Sequence, residues 1–142
     1  MVALVDTNIL VYRFDPRDMR KQSLATRLLR EGLINDTIRI AHQAIAEFYA
    51  VVTRPRIGIP PLLKDDDARR EAEELLVQFQ VLFPDETVVR TALRGIAAYQ
   101  MSWWDAHMWA YAETFGMNQL FSEDFQHGQL YGSVQVINPF LG

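Results

Sequence analysis

Four carboxylates stand in this sequence where an α/β chain gathers its chemistry. Asp6 closes the apolar run Val2-Ala3-Leu4-Val5, and Asp124 follows Leu120-Phe121-Ser122. Glu47 lies about one turn into the helical pattern after Thr37–Ala41, and Asp105 lies in the first turn after Ser102. Carboxylates brought together repel one another unless they are protonated or bound to cations. An oxygen-only acidic site suits a hard cation such as Mg²⁺ or Mn²⁺. Two such ions a few ångströms apart can activate a water and stabilise the leaving oxygen in phosphodiester hydrolysis. Each acid also has an ordinary explanation. Asp6 can cap a helix, Asp105 can pair with Ser102 as a capping box, and Glu47 can be a solvated helix residue. Asp124 can be a turn former, with Glu123 an equal candidate as ligand. The joint placement, each acid at or near a strand end, points to chemistry.

Elements must bring these positions together. Val2–Val5 reads as a short buried parallel strand, and Asp6-Thr7-Asn8 as a turn into a helix carrying Ile9, Leu10, Tyr12 and Phe14, capped by Thr7 or Asn8. Asp15-Pro16 breaks that helix. Residues 18 to 31 form a second helix with Leu24, Leu28 and Leu29 on one face, stopped by Gly32. Residues 37 to 41 are a second strand and 43 to 53 a helix. Residues 54 to 64 hold three of the six prolines and form a loop. Asp65-Asp66-Asp67 opens a helix to about residue 78, its acids at the end the macrodipole favours. Residues 81 to 83 are a short strand, and Pro84-Asp85-Glu86 starts another helix. A helix spans 103 to 115, stopped by Gly116. Residues 119 to 122 and 134 to 137 are the last two strands. This alternation predicts an α/β fold with a mainly parallel sheet, whose site lies outside the carboxyl ends of the strands.

The 142 residues predict one domain, residues 1 to 142. The hydrophobic fraction of 49% excludes wholesale disorder, and the absence of cysteine excludes a disulfide scaffold, a thiolate zinc site and a thiol nucleophile. No apolar run approaches the roughly 20 residues that span a bilayer, and nothing resembles a targeting segment. A soluble cytoplasmic protein with no membrane partner is the expectation. The net charge of -4 argues against coating nucleic acid by bulk charge. Its distribution undercuts that inference, and the acidic balance does not exclude RNA. Residues 1 to 56 carry a net +3 and residues 57 to 142 a net -7.

The pieces Val5-Asp6-Thr7-Asn8-Ile9-Leu10, Ala44-Ile45-Ala46-Glu47-Phe48, Ser102-Trp103-Trp104-Asp105-Ala106 and Ser122-Glu123-Asp124-Phe125 match a known family in order. The chain resembles the PIN-domain ribonucleases, and most closely the VapC-type toxin ribonucleases, over essentially its whole length. The resemblance implies a three-layer α/β/α fold with a central, mainly parallel sheet of four to five short strands. It implies that Asp6, Asp105 and Asp124 are metal ligands and that Glu47 completes the catalytic site, directly or through water. Ser122 matches the family's small hydroxyl before the last acid. Asn8 matches a polar residue that orients a metal-bound water. The implied activity is a Mg²⁺- or Mn²⁺-dependent endoribonuclease, with water attacking RNA and no covalent enzyme intermediate. The implied assembly is a homodimer, inhibited by a small antitoxin protein whose tail enters the active-site groove.

Other residues are candidates beside these. Arg54 and Arg56 are candidates for RNA phosphate, since arginine forks suit phosphate; a solvated loop is the plain alternative. His127 is a further RNA-binding candidate, against a surface histidine beside a Gly turn. His42 is expected to be buried and hydrogen-bonded, and His107 to pack. One of Trp103 and Trp104 is expected in the core and the other in a subunit contact. A dehalogenase-like phosphatase needs Asp where Asn8 stands, and a response-regulator receiver shares the acidic pocket. Both need a late lysine, and the last here is Lys64. A degenerate PIN domain that only binds RNA or protein is the alternative of a different class. The intact set of four acids argues against it.

Overall fold

Ala3-Leu4-Val5 is buried at every position, so both faces of this strand are covered. The computed structural model, which describes residues 1 to 141, shows why. The strand, β1 (Ala3–Val5), lies centrally in a six-stranded sheet with helices on both sides. The chain continues through α1 (Thr7–Tyr12), α2 (Met19–Asn35), β2 (Ile38–Ala41), α3 (His42–Val52), α4 (Asp65–Gln78) and β3 (Gln80–Leu82). It closes with α5 (Glu86–Tyr99), α6 (Trp103–Thr114), β4 (Gln119–Phe121), β5 (Leu130–Tyr131) and β6 (Val134–Ile137).

Strand order is β3-β2-β1-β4-β6-β5, parallel except for the β5–β6 pair. After β1 the chain builds β2 and β3 on one side, then crosses to β4 and β6 on the other. The order therefore reverses between β1 and β4, where an open α/β sheet forms its ligand crevice. In the β1–β4 register Val5 faces Phe121, and the ladder continues with the Asp6 N–H donating to the Phe121 carbonyl at 2.9 Å. Asp6 and Ser122 are thus set side by side by backbone pairing.

Most expected elements are present, with instructive differences. The sheet has six strands among the described residues, one more than the expected four to five. The addition, β5, is two residues long and joins β6 through a turn with Gly132 at φ +58°. A two-residue strand carries no periodicity to read. Gly32 does not stop α2. It lies inside the helix, where a Cβ would meet Ile38 Cδ1 at 2.1 Å, so glycine lets α2 approach β2 closely. The helix runs on to Asn35 and stops at Asp36, which takes the left-handed conformation at φ 54°. The cap of α1 is Asp6, neither Thr7 nor Asn8.

The core is built from Leu4, Ile9, Leu10, Ile40, Phe48 and Leu120, all fully buried, with many others around them. His42 is exposed at the start of α3, with its ring 5.4 Å from that of Phe83, and is not the buried histidine expected. Neither Trp103 (44% exposed) nor Trp104 (62% exposed) belongs to the core. They occupy the first turn of α6, and the buried tryptophan of that helix is Trp109. His107 packs on the Trp103 ring, with centroids 4.4 Å apart. No helix among the described residues is long and apolar enough to cross a membrane.

Helix α5 lies against α6 at Gly95, where a Cβ would meet the Trp109 ring at 2.6 Å and 2.8 Å. Alanine would add about 1 kcal/mol of helix propensity. A buried ring cannot swing away as an exposed chain does, so the steric term dominates. Gly95→Ala is expected to destabilise the fold by about 1–2 kcal/mol net, read as a lower urea midpoint with an unchanged slope.

Candidate active site

The site begins with a local choice by Asp6. Its extended backbone (φ -75°, ψ 163°) lets the side chain turn back and cap α1, with Oδ1 accepting the Thr7 N–H at 2.7 Å. Oδ2 accepts the Ser122 hydroxyl at 2.6 Å. Ser122 is fully buried, and its Oγ in turn accepts the Asp124 N–H at 3.0 Å. Asn8 Nδ2 donates to Asp124 Oδ2 at 3.1 Å and lies 3.5 Å from Ser122 Oγ. One hydroxyl thereby links the acid after β1 to the acid after β4.

The other two acids arrive on helices. Glu47, on α3, accepts from the Thr7 hydroxyl at 3.2 Å and from Gln43 Nε2 at 2.9 Å. Gln43 lies one turn before it and also donates to the Trp104 carbonyl at 3.1 Å, which ties α3 to the start of α6. There Ser102 caps α6, its Oγ accepting the Asp105 N–H at 3.1 Å. Asp6 and Asp105 are therefore helix-terminal residues and members of the acidic group together. The plain and the chemical readings coexist.

The electrostatics follow from burial and crowding. Burial pushes the Asp6 carboxyl up to about 7; the Ser122 and Thr7 hydrogen bonds oppose this, and the charges of Asp124 and Asp105 add to it. Asp105 is also raised, by burial first and then by Asp124 and Glu47, against the Ser122-independent pull of its Ser102 hydrogen bond. No lysine or arginine forms a salt bridge with Asp6, Glu47, Asp105 or Asp124 among the described residues. Asn8 Oδ1 is buried there without a hydrogen-bond partner. An oxygen-only donor set, mutual repulsion, no counter-charge and an orphaned amide oxygen fit a hard divalent cation in chemistry. The carboxylates are not drawn into a finished cage: among the described residues no three Asp, Glu or His side chains form a ready-made ligand group.

Glu123 and Asp124 have different fates. Glu123 accepts the Tyr12 hydroxyl at 2.5 Å and pairs with Lys21 at 2.7 Å. Its charge is neutralised by α2, while Asp124 remains with Asp6 and Asp105. Sequence reasoning missed Tyr12 and Lys21, because Lys21 and Glu123 are 102 positions apart. It also missed Gln43, whose i,i+4 spacing to Glu47 was a readable signal.

A cavity of about 300 Å³ opens beside the acids. Thr7, Asn8, Glu47 and Asp124 line it, and so do Arg54 and Arg56 from the Pro-rich loop. Val11, Val51 and Leu62 contribute apolar wall. Arg17, which the sequence did not single out, lines it too. His127 does not: it is exposed, and its Nδ1 accepts the Asn138 N–H at 3.0 Å. Acids and arginines share one concavity, a layout suited to holding a polyanion against cations.

Fold and site together define an α/β domain with an acidic centre at its sheet switch point. The PIN domain family model matches residues 3 to 132, and the chain belongs to that family. Among solved structures, the chain is similar to VapBC2 from Rickettsia felis bound to a promoter DNA fragment, with TM-score 0.71, 13% identity, and coverage of 96% of this chain and 97% of that one. It is similar to VapC20 of Mycobacterium tuberculosis, described as a Sarcin-Ricin loop cleaving toxin, with TM-score 0.65, 15% identity and coverage of 86% and 89%. A toxin–antitoxin complex from Klebsiella pneumoniae matches with TM-score 0.67, 16% identity and coverage of 96% and 97%. Comparison with curated proteins finds no significant match.

The raised Asp6 sets a sign for pH dependence. A carboxyl whose folded pKa lies above its unfolded value stabilises the fold at low pH, and that contribution is lost as pH rises toward about 7. In chelator, wild-type thermal stability is expected to fall between about pH 4 and 7 by on the order of a few kcal/mol. Asp6→Asn is expected to flatten that fall, measured by melting across pH. A mutant curve parallel to wild type would remove Asp6 as the cause.

Proposed function

We propose that the protein is a metal-dependent endoribonuclease that hydrolyses RNA phosphodiester bonds and is the toxin of a type II toxin–antitoxin pair. The observation that carries this reading is the group Asp6, Glu47, Asp105 and Asp124. Four elements place it at the sheet switch point, without a cationic partner, beside a cavity that also holds arginines. The similarity to a Sarcin-Ricin loop cleaving toxin and to a toxin–antitoxin complex supports the RNA substrate and the antitoxin partner.

Asp6, Asp105 and Asp124, with Glu47 directly or through water, are the residues that would hold Mg²⁺ or Mn²⁺. When bound, such ions supply a polarised water and offset charge on the phosphate and its leaving oxygen. The chain's own residues do the rest. Ser122 and the Thr7 N–H hold Asp6 in one orientation, a supporting role typical around ligands. Asn8 and the Ser122 hydroxyl aim Asp124. Thr7 and Gln43 aim Glu47. Arg54 and Arg56 attract the RNA backbone.

The homodimer belongs to the same proposal. Val89 and Leu93, one turn apart on α5, are exposed apolar side chains, as are Phe83 and Trp104. A two-fold contact uses one patch twice, so such residues serve both subunits. The protein would act in the cytoplasm, where its RNA lies.

Cleavage of a mixed RNA panel with and without Mn²⁺ tests the activity. Asp6→Asn and Asp124→Asn are each expected to lower the rate at least 100-fold, the scale at which loss of an electrostatic catalytic group is felt. Thermal melts would show both folded. Undiminished cleavage by Asp6→Asn, or cleavage that persists in chelator, would falsify the metal mechanism. Binding without cutting would instead favour a binding module.

A further inference from the structure

The cavity contains an arginine held by its acid in more ways than Arg70 of the exposed ion pair on α4. Asp15, just beyond α1, is buried, with its side chain 9% exposed, whereas the Arg17 side chain is 48% exposed. The Asp15 carboxylate accepts the Arg17 backbone N–H at 3.0 Å, its Nε at 2.8 Å and its NH2 at 2.8 Å. That is a two-pronged fork closed by a backbone turn. The Arg70–Asp67 pair on α4 has one such contact. Arg17 holds the Asp15 carboxyl below the usual carboxylate range, and the charge of Arg56 acts in the same direction. Arg17, Asp15 and Arg56 therefore lie together in the cavity that Glu47 and Asp124 also line.

We infer that Arg17, clamped by the buried Asp15 in the wall of the acid-lined cavity, binds a backbone phosphate of RNA adjacent to the one that is cut. This rests on the ribonuclease reading and deepens it. A guanidinium has five N–H donors, and Asp15 takes two of the side chain's, so three remain for a ligand. The clamp fixes the fork before RNA arrives, so less freedom is lost on binding. RNA repeats its phosphates at a set spacing, so one anchored phosphate sets the register of the next against the acids. Such contacts position the substrate without reading its sequence. Asp15 is the positioning residue and Arg17 the anchor. The apolar wall of Val11, Val51 and Leu62 gives the intervening nucleotide a surface that water leaves readily.

The experiment measures binding of a fluorescein-labelled single-stranded RNA by anisotropy over a salt series. It uses the full chain in the Asp6→Asn background with Mn²⁺ present. Adding Arg17→Gln is expected to weaken binding roughly tenfold and to lower the slope of log K against log salt by about 0.7. Arg17→Lys keeps the charge but loses the fork, so the slope is retained and part of the affinity is lost. Arg90→Gln, an exposed residue on α5 outside the cavity, controls for loss of any positive charge and is expected to change neither. In the cleavage-competent chain, Arg17→Gln raises KM and leaves kcat within about twofold, whereas a purely structural role would move the melting temperature and not the salt slope. Wild-type affinity and slope in Arg17→Gln would overturn the anchor and leave the ribonuclease reading standing. Absence of both RNA binding and RNA cleavage by the chain with Asp6 intact, Mn²⁺ present, would overturn both.

Discussion

The Asp6 carboxylate leaves water at the end of β1 and meets no cation among the side chains packed around it. Removing a charge from water without a partner is among the most unfavourable things a fold can do. Two hydrogen bonds, from the Thr7 N–H and the Ser122 hydroxyl, offset part of that penalty. Both depend on topology. The first requires α1 to start immediately after β1. The second requires β4 to pair with β1 in the observed register, so that Ser122 lies beside Asp6. The placement of Asp124 then follows, because its backbone N–H donates to the same Ser122 oxygen.

The remaining groups divide by charge. Asp6, Asp105 and Asp124 act on one another electrostatically, and Glu47 acts on Asp105, while Arg17, Arg54 and Arg56 stand at the adjoining cavity. On the ribonuclease proposal, this separation would let an acidic protein take a polyanion. Negative charge gathers at the sheet switch point, and positive charge lies in the N-terminal part of the chain that forms the neighbouring wall. Lys21 adds a refinement by neutralising Glu123, which would otherwise place another negative charge beside Asp124. The Lys21 ammonium also lies 4.9 Å from the Tyr12 ring centroid and 5.5 Å from that of Phe140, so the loop after β4 is tied to α1, α2 and the chain's last turn.

Local rules explain much of the scaffold and fail at identifiable points. Strand and helix patterns locate all the elements of the described residues except β5, because apolar runs and 3.6-residue periodicity are properties of neighbouring residues. Gly32 misled because a glycine that ends a helix and one that admits a neighbour look alike in sequence. Here the neighbour, Ile38, decides. His42 misled similarly: a histidine after a buried strand looks like an edge residue of the core, but the first turn of α3 presents it outward. The tryptophans of α6 were legible as a cluster but not by depth, since Trp103, Trp104 and Trp109 differ in burial through the packing of α5 and the sheet edge.

The sequence by itself determined the order of elements, the α/β class and the acids that follow β1 and β4 or lie in the helices α3 and α6, because each is written in residues close along the chain. It left Asp124 and Glu123 equivalent, ranked His127 beside Arg54 and Arg56, and passed over Arg17. Tertiary structure separated them. Lys21 and Tyr12 take up Glu123 from over a hundred residues away, and Asn138 takes up His127. The fold also brings Arg17 and the Pro-rich loop to the same cavity as Glu47 and Asp124. Charge pairing and shared burial act through space, so only the folded chain could decide which acid stays without a cationic partner and which arginines share its cavity.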